Sequence, residues 1–222
     1  MLNVFKSVNV LGRGRVGGAL AARLLERGIA LRDVGADLVL LCVPDAAIHE
    51  VAATIPPGPW VAHVSGATSL GALAPHVRRF SVHPLQTFTR ARGPEQLDGA
   101  WAAVTAESDD ARRRALWLAE RFGLRPFTIA DESRTLYHAG AAIASNYLVT
   151  LHRAAATLFE LAGAPPDALV PLMRRTIDNG FDLTGPIARG DWTTVHAHVA
   201  EIAKSAPELE DAYRALAKLT AA

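Results

Sequence analysis

The residues most able to bind a ligand lie near the start of the chain, in the run Gly12-Arg13-Gly14-Arg15-Val16-Gly17. An apolar segment precedes this run and good helix formers follow it, which is the context of a dinucleotide-binding loop. In such a loop the first glycine permits a tight turn, the second lets the backbone approach a pyrophosphate, and the third lets the helix pack on the strand. The two arginines can add phosphate contacts. The run predicts a dinucleotide cofactor, NADP or NAD, and the alternative is a purely structural glycine turn.

Two charged residues beyond this loop are candidates for recognising the ribose end of such a cofactor. Asp33 lies about 20 residues past Gly12, the usual spacing for an acid that binds the ribose. Arg32 is placed to bind a 2′-phosphate, which would select NADP. The alternative is an exposed Arg–Asp pair in a turn.

A second group of polar residues has the types needed for proton transfer. His138, Ser145 and Asn146 are spaced so that an α-helix would carry them on one face, two turns apart. His138 is the predicted proton donor, because imidazole changes charge near neutral pH. Asn146 is a second catalytic candidate on that face. A histidine that is hydrogen-bonded within a domain interface is the alternative for His138.

Further candidates follow two strand-like segments, where open parallel sheets bind their ligands. His63 is predicted to contact substrate, and Ser65 with Gly66 can hold a substrate carboxylate or a nicotinamide amide, Ser65 being a catalytic candidate as well. His83 stands before a proline in a second such position and is also a candidate for substrate binding. The spacing of the histidines shows no zinc-ligand pattern and no cysteine pair accompanies them, so no metal site is predicted.

Arg189 is the remaining candidate, in a glycine- and proline-rich turn before a helical segment. A fixed arginine beside a cleft suits bidentate binding of a carboxylate or phosphate, while a surface ion pair is the alternative. Asp191 follows it and is predicted to cap the helix that begins at Trp192. The single cysteine, Cys42, lies in an apolar run and is expected to behave as a small buried hydrophobe.

The elements that must position these residues alternate between strand and helix over the first part of the chain. Strands are predicted at 4–11, 37–43, 60–64, 80–82, 101–105 and 125–129, and helices at 19–27, 46–53 (capped by Asp45), 70–77 and 109–122. This alternation predicts an α/β domain over 1–130 with a mostly parallel sheet. An uninterrupted helix at 132–161, followed by helices at 167–179, 192–205 and 208–219, predicts an all-helical domain over 131–222.

The sheet is predicted to be abbreviated after its first strand–loop–helix unit. Only the eight residues Ile29 to Ala36 separate Gly28 from the next buried strand. That is too few for a second strand together with the dozen or so residues of a parallel crossover. Either this stretch is shortened or the topology differs.

Several segments together resemble a known group of proteins. They are the glycine loop, Val43-Pro44-Asp45, His63 to Gly66, His83 to Gln86, Tyr137-His138 with Asn146, and Leu183 to Asp191. The chain resembles Rossmann-like oxidoreductase homologues whose second domain is a helical domain of unknown function, and these are similar to pyrroline-5-carboxylate reductase and to phosphogluconate-dehydrogenase-like β-hydroxyacid dehydrogenases. The resemblance implies an NAD(P) site that includes Val43 and Pro44, a substrate cleft between domains, and dimerisation through the helices. The catalytic lysine of the β-hydroxyacid dehydrogenases is replaced here by Ala142.

Composition limits the class of partner. Half of the residues are apolar and Lys plus Arg number 23 against 22 for Asp plus Glu, so a folded core is expected and no global charge attracts nucleic acid or a membrane surface. A cytoplasmic location is expected. Two functions follow: an NAD(P)-dependent oxidoreductase acting on a small carbonyl, imine or hydroxy acid, or a nucleotide-binding scaffold that kept the fold without the reaction. The alanine-rich helical region is expected to pair with a second copy in a homodimer.

Overall fold

Over residues 4–222, the computed structural model forms a seven-stranded sheet in the order β2-β1-β3-β4-β5-β6-β7. The strands are β1 Ser7–Leu11, β2 Ala30–Leu31, β3 Leu38–Leu41, β4 Trp60–His63, β5 Arg79–Leu85, β6 Trp101–Ala106 and β7 Arg125–Thr128. Neighbouring strands run parallel except β5 and β6, which are antiparallel. The predicted mostly parallel α/β sheet is therefore confirmed.

Eight α-helices accompany the sheet in the described part of the chain. They are α1 Arg15–Glu26, α2 Ile48–Ala53, α3 Asp109–Arg121, α4 Arg134–Ala142, α5 Leu148–Leu161, α6 Leu169–Asp178, α7 Trp192–Ser205 and α8 Glu210–Thr220. The helical C-terminal region is as predicted. No helix within residues 4–222 combines the length and apolar character needed to cross a membrane.

Strand β3 explains how the core is arranged. Leu38 and Leu40 pack in a cluster with residues of α1 and α3, whereas Val39 and Leu41 pack in a second cluster with residues of α2. Successive side chains of a strand point to opposite faces, so a strand that is apolar throughout has helices on both sides. The carboxyl end of β3 is thereby held in the middle of the sheet.

The sheet is abbreviated after its first unit, as predicted. A short turn replaces the helix that would otherwise connect the second strand to the third. Val8 of β1 pairs with Leu31 of β2 on one side and with Leu38 of β3 on the other. The turn at 32–37 joins them, and Asp37 in this turn accepts a hydrogen bond from the backbone N–H of Lys6 at 2.7 Å. The stretch holds a strand of only two residues, β2, and no crossover helix separates it from β3, in agreement with the prediction that a full strand and crossover do not fit there.

Two helix predictions near the sheet are also wrong. Asp45 does not cap a helix, because a 3₁₀ turn covers Asp45–Ala47 and α2, which begins at Ile48, has no side-chain cap. The carboxylate of Asp45 instead accepts a hydrogen bond from Ser65. The helix expected at 70–77 is reduced to a 3₁₀ turn at Leu70–Leu73.

The long helix predicted at 132–161 is interrupted. A π-helical turn at Ile143–Tyr147 lies between α4 and α5. Each residue of a π-helix advances by a smaller angle than in an α-helix, so the turn shifts the helical register. The prediction that His138, Ser145 and Asn146 share one face assumed an unbroken α-helical period, and it stays a prediction.

Contacts divide the chain into two compact units, the first ending at Ala142 and the second comprising Ile143–Ala222. This division falls after the predicted boundary near Ala130, and the domains 1–130 and 131–222 stay a prediction. In the second unit, α5 has no buried residue, and Val149 and Leu151 are 50% and 43% exposed. The homodimer expected from the sequence would cover such a surface, and it too stays a prediction.

Candidate functional site

The three glycines of the loop between β1 and α1 meet different surroundings. Gly12 has φ of +92°, and a Cβ there would lie 2.5 Å from the carbonyl oxygen of Cys42. A Cβ on Gly17 would overlap the carbonyl oxygen of Gly12, whereas a Cβ on Gly14 would meet no atom within 4 Å. A dinucleotide-binding loop needs a tight turn at the first glycine, open space at the second and close helix packing at the third, and Gly12, Gly14 and Gly17 have these surroundings in turn. The loop therefore fits a pyrophosphate at Gly14.

The N-terminus of α1 is suited to binding an anion. Gly14 is its N-cap and provides no side-chain hydrogen bond, and the first turn carries no acidic residue. The first backbone N–H groups of a helix lack intrahelical partners, and the helix dipole favours negative charge there. The side chains of Arg13 and Arg15 are exposed beside these groups, and Arg13 Nε donates to the carbonyl of Val10 at 3.3 Å.

The loop lies where the strand order reverses. The chain passes from β1 through α1 to β2 on one side, while β3 lies on the other side of β1. Ligands of open α/β sheets bind beside such a reversal, at the carboxyl ends of the strands. Val43 and Pro44 follow β3 at this edge, and a Cβ on Gly12 would lie 3.0 Å from the backbone nitrogen of Val43. The structure thus brings the glycine loop and these two cofactor candidates together.

Arg32 and Asp33 follow β2 and are exposed. The backbone carbonyl of Asp33 accepts a hydrogen bond from Asn9 Nδ2 at 2.9 Å, which fixes the turn. Within residues 4–222 the guanidinium of Arg32 forms no ion pair, and the roles of Arg32 and Asp33 in recognising a ribose stay predictions. Cys42 is the small hydrophobe that was predicted, because burial raises the pKa of its thiol to about 12.

Ser65 forms a tight hydrogen-bonded turn directly after β4. Its hydroxyl donates to the Asp45 carboxylate at 2.8 Å and accepts from the backbone N–H of Thr68 at 3.0 Å, with the Thr68 hydroxyl at 2.9 Å. A hydroxyl has one proton and two lone pairs, so these partners use its full capacity. Ser65 therefore holds the turn in place, and its catalytic role stays a prediction.

His63 lies beneath that turn and is fully buried. Its Nδ1 accepts a hydrogen bond from the backbone N–H of Ser65 at 3.2 Å. Burial above all, together with the charge of Arg134, lowers the pKa of His63 to about 3, so the ring is neutral. This position suits support of the Ser65 turn rather than the predicted contact with substrate.

Arg134 is a site residue that the sequence did not indicate. Its side chain is fully buried, and Nε donates to the Thr68 carbonyl at 2.7 Å while Nη1 donates to the Thr105 hydroxyl at 2.8 Å. Nη2 donates to the Ser65 carbonyl. Both ends of the Ser65–Thr68 turn are therefore fastened to one guanidinium. Burial lowers the pKa of Arg134 and nearby Asp131 opposes that shift, but an arginine side chain stays charged in proteins.

Two histidine rings converge above this turn. His83 on β5 and His138 on α4 have ring centroids 5.8 Å apart and nearly perpendicular planes. A Cβ on Gly66 would collide with His138 Nδ1 and would lie 3.0 Å from His83 Nε2, so both nitrogens lie against Gly66. Nδ1 of His138 is buried and has no hydrogen-bond partner within residues 4–222. The structure thus brings together three residues predicted separately along the chain.

Tyr137 completes this cluster, and the sequence analysis gave it no role. Its hydroxyl lies 2.8 Å from His83 Nδ1. Burial raises the pKa of Tyr137 to about 12, so the phenol stays protonated. Burial, His138 and Arg134 lower the pKa of His83 to about 4, and Asp45 acts weakly in the opposite direction. At neutral pH the pair is therefore an uncharged hydrogen-bonding unit. The feature of the sequence that could have indicated Tyr137 is its position directly before His138.

Three other predicted residues belong to the second unit. Asn146 accepts a hydrogen bond from the Ser145 hydroxyl at 3.1 Å, and Arg189 is exposed in the turn before α7. Their roles at a site stay predictions. Asp191 caps α7 as predicted, because its carboxylate accepts from the backbone N–H of Thr194 at 3.1 Å.

Solved structures share this fold along their whole length. A candidate NADP oxidoreductase from Bacteroides fragilis is 20% identical with a TM-score of 0.81, covering 97% of this chain and 98% of its own. A Thermotoga maritima protein is 26% identical with a TM-score of 0.76, covering 96% and 98%. Pyrroline carboxylate reductase from Plasmodium falciparum, solved with NADP bound, is 12% identical with a TM-score of 0.62, covering 100% and 98%.

Family comparisons describe both parts of the sequence. Comparison with curated proteins gave no match. Residues 28–87 match the Rossmann-like domain, and residues 100–220 match the domain of unknown function DUF2520. The second match spans more than half of the 222 residues, and it includes the last two strands as well as the C-terminal helices. The chain therefore belongs to the DUF2520 family, with a Rossmann-like domain before the family's helical region.

Proposed function

We propose that the protein is an NAD(P)-dependent oxidoreductase that moves hydride to or from a small carbonyl, imine or hydroxy acid. The observation that carries this proposal is the glycine loop, where open space at Gly14 meets an uncapped helix start at the reversal of strand order. The Plasmodium falciparum reductase with bound NADP has the same fold and supports the choice of cofactor class. The fold of the Bacteroides fragilis protein supports it in the same way.

In this proposal His138 is the proton donor. A bound nicotinamide would supply or accept the hydride. When the substrate double bond gives its electron pair to its oxygen or nitrogen, protonated His138 passes a ring proton to that atom and becomes neutral imidazole. Because Gly66 has no side chain, the rings of His138 and His83 lie directly against the turn that follows β4. His83, whose Nδ1 is hydrogen-bonded to Tyr137, lies beside His138 and orients the substrate.

Replacing His138 tests this assignment. In His138→Gln we expect kcat to fall about 100-fold, because general acid catalysis is typically worth that much, while NADPH binding is unchanged. Turnover would be followed by nicotinamide absorbance in a panel of small carbonyls, imines and hydroxy acids, and binding by nicotinamide fluorescence. His49→Gln, an exposed histidine on α2, is the matched control.

The outcomes separate the two functions considered. Wild-type turnover in His138→Gln would contradict the assignment of the proton donor. Binding of NADPH or NADH by the wild-type protein without turnover of any compound would favour the nucleotide-binding scaffold. Failure to bind either nucleotide at millimolar concentration would contradict the proposed cofactor and both functions that depend on it.

We further infer that NADP is preferred over NAD. Arg32 follows β2, where this fold recognises the ribose, and its exposed guanidinium is available to a 2′-phosphate. In Arg32→Ser we expect the NADPH dissociation constant to rise about tenfold, as for loss of one charge-assisted contact, with NADH binding unchanged. Fluorescence titration measures both constants, and Arg27→Ser serves as the control for net charge. Equal weakening of NADPH and NADH would show that Arg32 does not distinguish them.

A further inference from the structure

A second cavity lies at the opposite edge of the sheet from the glycine loop. It has a volume of about 440 Å³, and we call it the amino-edge pocket; Lys6, Asp37, Trp60, Arg78 and Arg114 are among its lining residues. Lys6 precedes β1, Asp37 precedes β3, and Trp60 begins β4. These strands are parallel, so their starts lie at one edge, while the glycine loop and the Ser65 turn follow their ends. The pocket is thus separate from the proposed active site.

Positive charge dominates this pocket. Three cationic side chains line it, against the single carboxylate of Asp37. That carboxylate is already used, because its Oδ2 accepts from the backbone N–H groups of Lys6 at 2.7 Å and Ser7 at 2.9 Å. Within residues 4–222 the Lys6 ammonium has no ion-pair partner within 4.0 Å. The cationic side chains therefore exceed the local negative charge.

The two guanidinium groups are held in place by an aromatic ring. Arg114 lies 4.8 Å and Arg78 lies 5.8 Å from the ring centroid of Trp60. Arg114 donates Nε to Asp110 at 3.1 Å, and Arg78 donates Nη1 to the Gly58 carbonyl at 3.0 Å. Each of these two hydrogen bonds uses one nitrogen of its guanidinium. The remaining nitrogens of Arg78 and Arg114 form no hydrogen bond within residues 4–222. Two oriented arginines with unused donors are suited to bidentate binding of phosphate or carboxylate.

We propose that the amino-edge pocket binds a small multivalent anion through its phosphate or carboxylate groups. The volume exceeds that of a single phosphate ion and admits a compact metabolite with several anionic groups. Arg78, Arg114 and Lys6 contact the anion, and Trp60 forms the wall that orients both arginines. The site is independent of the dinucleotide, since none of its lining residues belongs to the glycine loop.

Fluorine NMR of the full chain labelled with 5-fluorotryptophan tests this proposal, because the four tryptophans give separate resonances and Trp60 lines the pocket. Trp60→Phe identifies its signal. Inorganic phosphate and citrate are titrated separately at constant ionic strength, with chloride as the control anion. We expect the Trp60 resonance to shift saturably with phosphate, citrate or both, which also tells whether phosphate or carboxylate groups are bound. Chloride should leave it in place.

Variants locate the binding. Arg78→Ser is expected to lower the affinity for the anion about tenfold, because one charge-assisted pair of contacts is lost. Arg90→Ser, at an exposed residue, makes the same change in charge and is expected to leave the affinity unchanged. A Trp60 resonance that responds to neither anion, or responds equally to chloride, would overturn the proposal. So would binding that persists in Arg78→Ser and is lost in Arg13→Ser, because the anion would then occupy the glycine loop.

Discussion

Replacing Arg134 with methionine is expected to lower the free energy of unfolding by about 3–5 kcal/mol. The guanidinium is fully buried and donates to the carbonyls of Ser65 and Thr68 and to the hydroxyl of Thr105. Methionine has a similar length but no donor, so all three oxygens would be buried without this partner. Each unsatisfied buried polar group costs about 1–3 kcal/mol. Urea unfolding followed by circular dichroism measures the change.

Two further variants make this test specific. Arg113→Met removes an arginine whose side chain is 70% exposed, so we expect a change below about 1 kcal/mol. Arg134→Lys keeps the charge but cannot reach all three oxygens, and an intermediate loss is expected. A loss below about 1 kcal/mol in Arg134→Met would contradict the role assigned to the buried hydrogen bonds.

The same substitution has a spectroscopic consequence. Arg134 is one of the groups that lower the pKa of His83 to about 4. Removing a positive charge favours protonation of a neighbouring imidazole, so the pKa of His83 should rise in folded Arg134→Met. NMR titration of the histidine ring detects this rise. An unchanged pKa in a folded variant would mean that burial and His138 keep His83 neutral without Arg134.

Substituting the glycines of the first loop by alanine should separate folding from ligand binding. A Cβ on Gly17 would overlap the carbonyl oxygen of Gly12 and lie 2.9 Å from Cys42 Cβ. Both neighbours belong to the buried junction of β1, α1 and β3, so Gly17→Ala should cost about 1–3 kcal/mol or more and distort the loop. Gly14→Ala meets no protein atom within 4 Å and should change stability by less than about 1 kcal/mol.

Dinucleotide binding is expected to fail in both glycine variants, for different reasons. In Gly14→Ala the methyl group occupies the space through which the pyrophosphate approaches the backbone, so NADPH affinity should fall at least about tenfold in a fully folded protein. Thermal unfolding and fluorescence titration are measured on the same samples. Gly140→Ala, a helix glycine with no atom within 4 Å of an added Cβ, should bind NADPH normally. Wild-type affinity in Gly14→Ala would contradict the proposed pyrophosphate position.

The side chains that local sequence patterns did not place correctly have partners far along the chain. Asp45 has the residue type and position of a helix cap, but its carboxylate contacts Ser65, twenty positions later. Arg134 shows no pattern in its own segment, and its hydrogen-bond partners are 66, 29 and 69 positions away. Local propensity cannot rank such contacts, because the free energy of a buried polar group depends on which segments enclose it.

The sequence by itself determined the features that depend on nearest neighbours along the chain. The apolar run of β3 predicted a strand buried on both faces, the spacing of Gly12, Gly14 and Gly17 predicted the ligand loop, and Asp191 predicted its helix cap. Each follows from local backbone geometry or from the two-residue period of a strand.

Only the tertiary structure decided the arrangement of the candidate active site. His83 comes from a strand and His138 from a helix, and they meet because β5 and α4 approach the same turn at Gly66. The π-helical turn at Ile143–Tyr147 likewise interrupts a helix that the sequence predicted as continuous. Side chains more than fifty positions apart, such as His83 and Tyr137, become neighbours only through strand order and helix packing, and single-sequence periodicity carries no information on either.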